Sequence, residues 1–239
     1  MIKKNLKKKE VSIGLIAARR GSKGIKNKNL LKIKKISIVN HAIKLGLKID
    51  KLNYLVLSSD SSKILNQTKP NEKIFKINRH PSLARDLTPM LPVMEDTINF
   101  VEKKIKKKVS YLVVLDPTSP FRLKKDIIKA IKIFKKKKLD LLVSVHEAEH
   151  NPYFSILEKY ENYYSLSKGN KLNIGSRQKA KKTFNVNTVV WIYSRKAIIK
   201  IKKRIPFKTD ILIVPENRAF ELNTKEDLKK IKKRLKINR

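Results

Sequence analysis

Residues 17–30 read Ala17-Ala18-Arg19-Arg20-Gly21-Ser22-Lys23-Gly24-Ile25-Lys26-Asn27-Lys28-Asn29-Leu30. They follow an apolar run, Val11 to Ala18, of the kind that forms a parallel strand buried on both faces. Two glycines and a series of cationic side chains come directly after it. Glycine lets backbone N–H groups approach an anion closely, and Arg and Lys add fixed positive charge. At the carboxyl end of a first strand this combination predicts a cradle for the phosphates of a nucleotide. The spacing matches neither Gly-x-Gly-x-x-Gly nor Gly-x-x-x-x-Gly-Lys-Ser/Thr, so it is neither a dinucleotide fingerprint nor a Walker loop. On composition alone, a lysine-rich surface loop fits equally well.

Outward from this loop, apolar runs alternate with amphipathic ones. Ser37 to Ile49 sets Ile38, Ala42, Leu45 and Ile49 at helical spacing. A second strand, 53–58, ends at Ser59-Asp60. A carboxylate at that edge holds a metal or a hydroxyl, or simply caps the following helix. A short strand at 73–77 runs into Asn78-Arg79-His80-Pro81-Ser82-Leu83-Ala84-Arg85-Asp86-Leu87-Thr88-Pro89, whose prolines make it a loop. Beside such a loop His80 reads as a packing or surface residue rather than a general base.

A helix at 92–107 precedes the most apolar strand, 111–115, which ends in Asp116-Pro117-Thr118-Ser119-Pro120-Phe121-Arg122. Two prolines enclosing Thr-Ser fix a rigid turn where α/β proteins place their ligands. A helix at 123–138 and a strand at 140–147 follow, then short strands at 154–160 and 163–167. Tyr153, Phe154, Tyr160, Tyr163 and Tyr164 gather there, as at an interface. Strands at 189–193 and 211–214 and a closing basic helix complete the chain. The alternation predicts one α/β domain over residues 1–239, a mostly parallel sheet with helices on both faces. Residues 1–10 form a basic tail.

The chain has no cysteine, which excludes disulfides and thiolate metal sites. No apolar run reaches membrane-spanning length, and the N-terminus lacks a signal peptide's apolar centre, so a cytoplasmic protein is expected. The formal net charge is +39 at pH 7. That charge is spread over nearly every expected helix, and only 11 of the 59 basic residues are arginine. Aromatics are not interleaved with the basic runs, so specific nucleic-acid binding is not expected.

The 17–30 stretch resembles the signature loop of the acylneuraminate cytidylyltransferases, the CMP-sialic acid synthetase family, which reads Ala-Arg-x-x-Ser-Lys-Gly-x-x-x-Lys-Asn. Arg19, Ser22, Lys23, Gly24, Lys28 and Asn29 fall in register. The family's Arg-Pro-x-x-Leu-Ala-x-Asp-x-Thr is matched by Arg79, Leu83, Ala84, Asp86 and Thr88, with His80 displacing the proline by one position. Its Pro-Thr-Ser-Pro-Leu-Arg is matched at 117–122, and its Arg-Gln and Asn-Gly spacing by Arg177, Gln178 and Asn187, with Thr188 for the glycine. The resemblance covers about residues 11–235.

It implies a Rossmann-like nucleotidyltransferase fold in which residues 147–185 protrude as a dimerisation segment and substrate lid, hence a homodimer. It also implies the reaction: the C2 hydroxyl of a 3-deoxy-2-ulosonic acid attacks the α-phosphate of CTP and pyrophosphate leaves. Ala18, Arg19, Ser22, Lys23, Gly24, Lys28, Asn29, Arg79 and Thr88 would bind the nucleotide. Asp116, Thr118, Ser119, Arg177, Gln178 and Asn187 would face the sugar. Arg19, Lys28 and Asp116 would carry catalysis. Asp116 stands where the family often has a sugar-contacting Gln, and it suits a metal, a different sugar substituent or a turn cap. The family's metal-binding Asp-x-Asp is replaced by Glu221 and Asn223, which alternation along a strand would point to one face. An Mg²⁺ held there would have one ligand charge fewer and could lean on Asp116 or Asp60. An inactive relative is the alternative reading.

Overall fold

The computed structural model describes residues 10–22, 24–168, 178 and 180–237. Its centre is β1 (Val11–Ala17), in which six of the seven residues are buried. Parallel neighbours flank it: β4 (Tyr54–Ser59) on one side and β6 (Val109–Val114) on the other. Next to β4 lies β5 (Ile74–Asn78), also parallel. Beyond β6 comes β10 (Phe184–Ser194), which runs antiparallel to both β6 and β7 (Leu141–Glu147). The far edge is β11 (Thr209–Ile213), parallel to β7, giving the order β11-β7-β10-β6-β1-β4-β5. Two small antiparallel hairpins lie apart from this sheet: β2 (Lys32–Ile33) with β3 (Ile36–Ser37), and β8 (Leu157–Tyr160) with β9 (Tyr163–Leu166).

Period-two alternation sends each strand's side chains into two different cores. Leu55, Leu57, Val113 and Leu115 pack beneath α1 (Ile38–Leu47) and α4 (Lys124–Lys137). Ile13, Leu15, Val56, Leu112 and Val114 pack beneath α3 (Met90–Ile105). Close approach needs two glycines here. A Cβ on Gly14 or Gly46 would press within 2.9 Å of Leu55, which wedges between strand and helix. α2 (Ser62–Leu65) is one short turn, and α5 (Lys225–Ile237) closes the chain over a third, smaller core around Ile25, Leu222 and Ile231.

The strands expected from the sequence are present, with ends shifted by a few residues. The hairpin β2–β3 and the antiparallel sense of β10 were not foreshadowed. Residues 220–223 form no strand. They are an irregular segment, so the alternation argument for Glu221 and Asn223 fails. Chain order diverges from β1 towards β4 on one side and β6 on the other. The crevice between those two directions, at the carboxyl ends of the strands, is where an open α/β sheet binds its ligand.

Candidate active site

The loop after β1 forms one wall. The Ala18 N–H still bonds the Ser58 carbonyl at 3.0 Å, and then the chain leaves the sheet. Asn29 is buried and its Nδ2 donates to the Arg19 carbonyl at 2.9 Å, closing the loop on itself. The Arg20 N–H donates to Asp60 Oδ1 at 2.8 Å. Asp60 therefore braces this loop and does not cap α2. The Arg19 guanidinium pairs with the carboxylate of Asp86, from the loop after β5. Ser22 is half-buried at the loop's bend; Lys23 lies outside the described residues. Arg19, Arg20, Asn27, Asn29, Asp60 and Ser61 line a cleft of about 240 Å³.

Arg79, expected to bind the nucleotide, is buried beneath that wall. Its Nε donates to Ser58 Oγ at 3.1 Å and its Nη2 to the Ser58 carbonyl at 2.6 Å. Burial lowers its pKa, opposed by the charges of Asp60 and Asp96. Arg79 thus ties the end of β4 to the 80–88 loop, whose other end is closed by Thr88 Oγ1 donating to the Ser82 carbonyl at 3.0 Å. His80 Nδ1 caps the Ser82 N–H of that turn.

The turn after β6 is built around two residues. Asp116 Oδ1 accepts from the Thr118 N–H at 2.9 Å and from Thr118 Oγ1 at 2.8 Å, so one carboxylate oxygen holds the turn. Arg122 is buried behind it and gives Nη2 to the Asp116 and Thr188 carbonyls. Its Nε and Nη1 have no partner among the described residues, and burial brings its pKa down to about 10. The β10 register shifts between Val186 and Trp191, a bulge of the kind that re-aims side chains beside a site. It brings Thr188 Oγ1 to 2.6 Å from Ser119 Oγ. Asn187 is buried by the same bulge, its Oδ1 accepting from Ser144 Oγ at 2.6 Å. Gln178 is exposed, and Arg177 lies outside the described residues.

Facing the loop is the segment before α5. The Leu222 N–H donates to the Thr118 carbonyl at 2.9 Å, fastening the segment to the Asp116 turn. Gly24 lies against it so closely that a Cβ there would overlap the Asn223 carbonyl. Lys28 Nζ donates to Asn223 Oδ1 at 3.1 Å, joining the two walls. Burial raises the pKa of Glu221, and the nearby Asp116 charge raises it further, against a hydrogen bond from Asn223 and the charge of Lys28. Asp116, Glu221 and Asn223 are therefore brought together, while Asp60 stands with the arginines on the other wall.

No group of three or more His, Cys, Asp or Glu gathers as a metal site among the described residues. Two crowded carboxylates and an amide oxygen nevertheless fit a divalent cation. A cation there would offset both the burial and the Asp116 charge that hold Glu221 above its usual pKa, and Mg²⁺ takes one or two carboxylates plus substrate phosphates. Sequence reasoning passed over Ser58 and Ser144, which anchor Arg79 and Asn187. It also passed over Asp126, whose buried carboxylate holds Arg218 at 2.8 Å, and over Arg204. Arginine in a chain dominated by lysine was the one signal available for Arg218 and Arg204.

A cationic loop at a switch point, opposed by carboxylates, places this sheet among the nucleotidyltransferases. The chain belongs to the cytidylyltransferase family, whose sequence profile matches residues 13–237. It is 32% identical over 216 residues, 90% of each chain, to the CMP-N,N'-diacetyllegionaminic acid synthase of Campylobacter jejuni. It is 31% identical over 215 residues, again 90% of each, to the post-translational flagellin modification protein B of Campylobacter coli. Among solved structures, a CMP:2-keto-3-deoxy-manno-octonic acid synthetase complexed with CTP superposes with TM-score 0.66 at 12% identity, covering 96% of this chain and all of the other. That last likeness concerns the fold. No helix among the described residues is long and apolar enough to cross a membrane.

Proposed function

We propose that this cytidylyltransferase transfers CMP from CTP to the C2 hydroxyl of a nonulosonic 3-deoxy-2-ulosonic acid, releasing pyrophosphate. The observation that carries this reading is the Lys28–Asn223 contact, which sets the anion-binding loop against Asp116 and Glu221 across one crevice. The likeness to the Campylobacter jejuni synthase supports a nonulosonic acceptor.

Arg19 and Lys28 would neutralise the triphosphate, with Asp86 giving up Arg19 as the nucleotide arrives. Asp116 has one oxygen engaged in the turn, and its Oδ2 has no hydrogen-bond partner among the described residues, so it would orient the acceptor hydroxyl. The hydroxyl oxygen bonds to the α-phosphorus as its proton passes by way of Asp116 Oδ2 to solvent, the bond to the bridging oxygen breaks, and pyrophosphate leaves with that oxygen. Rate comes from positioning and from fixed charge where negative charge develops. A Mg²⁺ would rest on Glu221, Asn223 and Asp116, drawing negative charge off the phosphates. The exposed β8–β9 hairpin, with Tyr163 79% and Tyr164 66% exposed, supports a homodimer through that arm. The product would feed surface glycan synthesis from the cytoplasm.

The test is pyrophosphate release with CTP, UTP, ATP and GTP against a panel of 3-deoxy-2-ulosonic acids. CTP should be strongly preferred; equal turnover of UTP, or none with any acid, would remove the reading.

A further inference from the structure

The crevice occupies the carboxyl edge of the sheet, and the amino edge has a different character. There the chain enters β6, β7 and β11 from segments 103–108, 135–138 and 200–208, which are rich in lysine and contain no Asp or Glu. Three of their lysines hold left-handed backbone: Lys106 at φ 55°, Lys138 at φ 49° and Lys202 at φ 53°. Glycine takes that conformation at lower cost, so a cation stands at each corner where a glycine would strain the chain less. Lys137 and Lys202 pair with Asp210 and Glu95, at 2.6 and 3.0 Å. Asp140 and Glu102 are taken by Lys196 and Arg195. Lys103, Lys104, Lys106, Lys107, Lys108 and Lys138 are all exposed and form no ion pair among the described residues. Within this cationic edge sits an apolar tip. Phe207 is 106% exposed and Ile205 49%. The tip is braced: Pro206 is buried, the Thr209 N–H donates to the Phe207 carbonyl at 2.9 Å, the Tyr193 hydroxyl to the Arg204 carbonyl at 2.9 Å, and the Asp140 N–H to the Lys208 carbonyl at 2.9 Å.

We infer that this edge docks on an anionic lipid bilayer, with Phe207 and Ile205 entering the boundary between headgroups and acyl chains and the exposed lysines resting on lipid phosphates. The occupant follows from the two features together. A cationic face alone suits any polyanion. An apolar tip set within it suits a bilayer, whose surface is anionic and whose interior, about 5–10 Å deeper, is apolar. Nucleic acid offers the charge without the apolar layer, and one ring on the tip makes a poor stacking platform. Each basic residue near such a surface raises affinity about fivefold, and burying a phenylalanine raises it about tenfold or more. A braced tip loses little conformational freedom on docking. The crevice and the β8–β9 hairpin, which follows the carboxyl end of β7, then face away from the lipid and stay open to substrate and to a partner. The inference does not depend on the proposed reaction.

The purified full chain is sedimented with vesicles of phosphatidylcholine alone, or of phosphatidylcholine with phosphatidylglycerol at about 30%, in about 150 mM salt. Binding should be at least tenfold tighter to the anionic vesicles. Phe207→Ser should weaken it about tenfold, and Lys107→Glu with Lys138→Glu more than that, with Tm unchanged in each case because these side chains are exposed. Charge reversal at Lys229 and Lys232 on α5 is the control for diffuse attraction by the +39 chain. An effect there equal to that at Lys107 and Lys138, or none from Phe207→Ser, would overturn the assignment. The chain has no cysteine, so Phe207→Cys takes a single environment-sensitive fluorophore. Its emission should shift to the blue on anionic vesicles and stay unchanged when the label sits at Lys229→Cys. No shift at 207 would show that the tip does not enter lipid. Single-stranded DNA that binds more tightly than the vesicles at the same salt, and more weakly after Phe207→Ser, would assign the edge to nucleic acid and sink the proposal. So would a loss of oligomer on Phe207→Ser, which would make the edge an interface between copies of this chain.

Discussion

The two walls of the crevice are held in opposite ways. The cationic loop is braced through side chains: Asp60 on the Arg20 N–H, Asp86 on Arg19, and Asn29 on the Arg19 carbonyl. The acidic wall is fastened by its backbone. Leu222 is fully buried and bonded to the Asp116 turn, and Asp227 Oδ2 accepts both the Asn223 and Thr224 N–H groups, at 2.9 and 2.7 Å. In the proposed reaction the first wall would exchange its partners for phosphates with little backbone movement. The second would already be in place when substrate arrives, since its role there would be to hold charge at a fixed point.

The strongest way to break this contrast is Glu221→Ala. Removing the carboxylate at the junction should lower kcat about 100- to 1000-fold, on the scale of losing a preorganised electrostatic group. A loss under about fivefold in steady-state pyrophosphate release would show that the acidic wall is not catalytic. Gly24→Ala comes next, since its Cβ meets backbone on the opposite wall rather than a side chain that can turn aside. Activity should drop about tenfold or more and stability by about 1–3 kcal/mol, the scale of overpacking. Unchanged denaturation midpoint and rate would mean the walls can part freely.

Asn223→Asp sharpens the comparison. It restores a ligand charge and gives Lys28 an ionic partner, so half-maximal rate should need several-fold less Mg²⁺. A Mg²⁺ titration indifferent to the change would place the ion elsewhere. The smallest effect concerns pH. Glu221's folded pKa is raised, so the folded state holds its proton more firmly than the unfolded chain. Ionisation of Glu221 therefore lowers stability as pH climbs through the window from the ordinary glutamate value to the raised one. Glu221→Gln should raise Tm at neutral pH by a few degrees, and the gain should vanish near pH 4. A gain that persists unchanged in acid would assign it to packing instead.

Much of this was legible in the residues. The buried run of β1 and the glycine–cation loop placed the crevice, and apolar runs located the strands because parallel strands buried on both faces cannot be polar. Glu221, Asn223 and Asp60 were read as the metal residues, with Asp116 facing the sugar; in the structure Asp116 lies beside Glu221 and Asn223, while Asp60 stands apart on the Arg20 N–H. What escaped was set by tertiary contacts rather than by local pattern. Arg79 and Asn187 carry polar ends that reach Ser58 and Ser144, and no spacing rule pairs residues 21 and 43 positions apart. The sense of β10 was hidden for a related reason: an apolar strand reads the same in either direction. Residues 220–223 alternate as a strand does, but Leu222 is drawn into the small core under α5, and among the described residues no strand pairs with the segment's backbone.

The reversed strand β10 also governs the order in which the molecule can be assembled. β5, β4, β1 and β6 pair only with one another up to residue 114, so half the sheet can form from the first half of the chain. β7 and β11 touch that half only through β10. Until residues 184–194 are available, β6 and β7 each present an open edge of unpaired backbone groups, the kind of edge that recruits a stray strand from another chain. During synthesis on the ribosome, β10 is the keystone that arrives late. With it come Thr188 and Trp191, and the segment that carries Glu221 and Asn223 follows later still, so the β1 loop waits for the last part of the chain before its contacts with Asn223 and Leu222 can form.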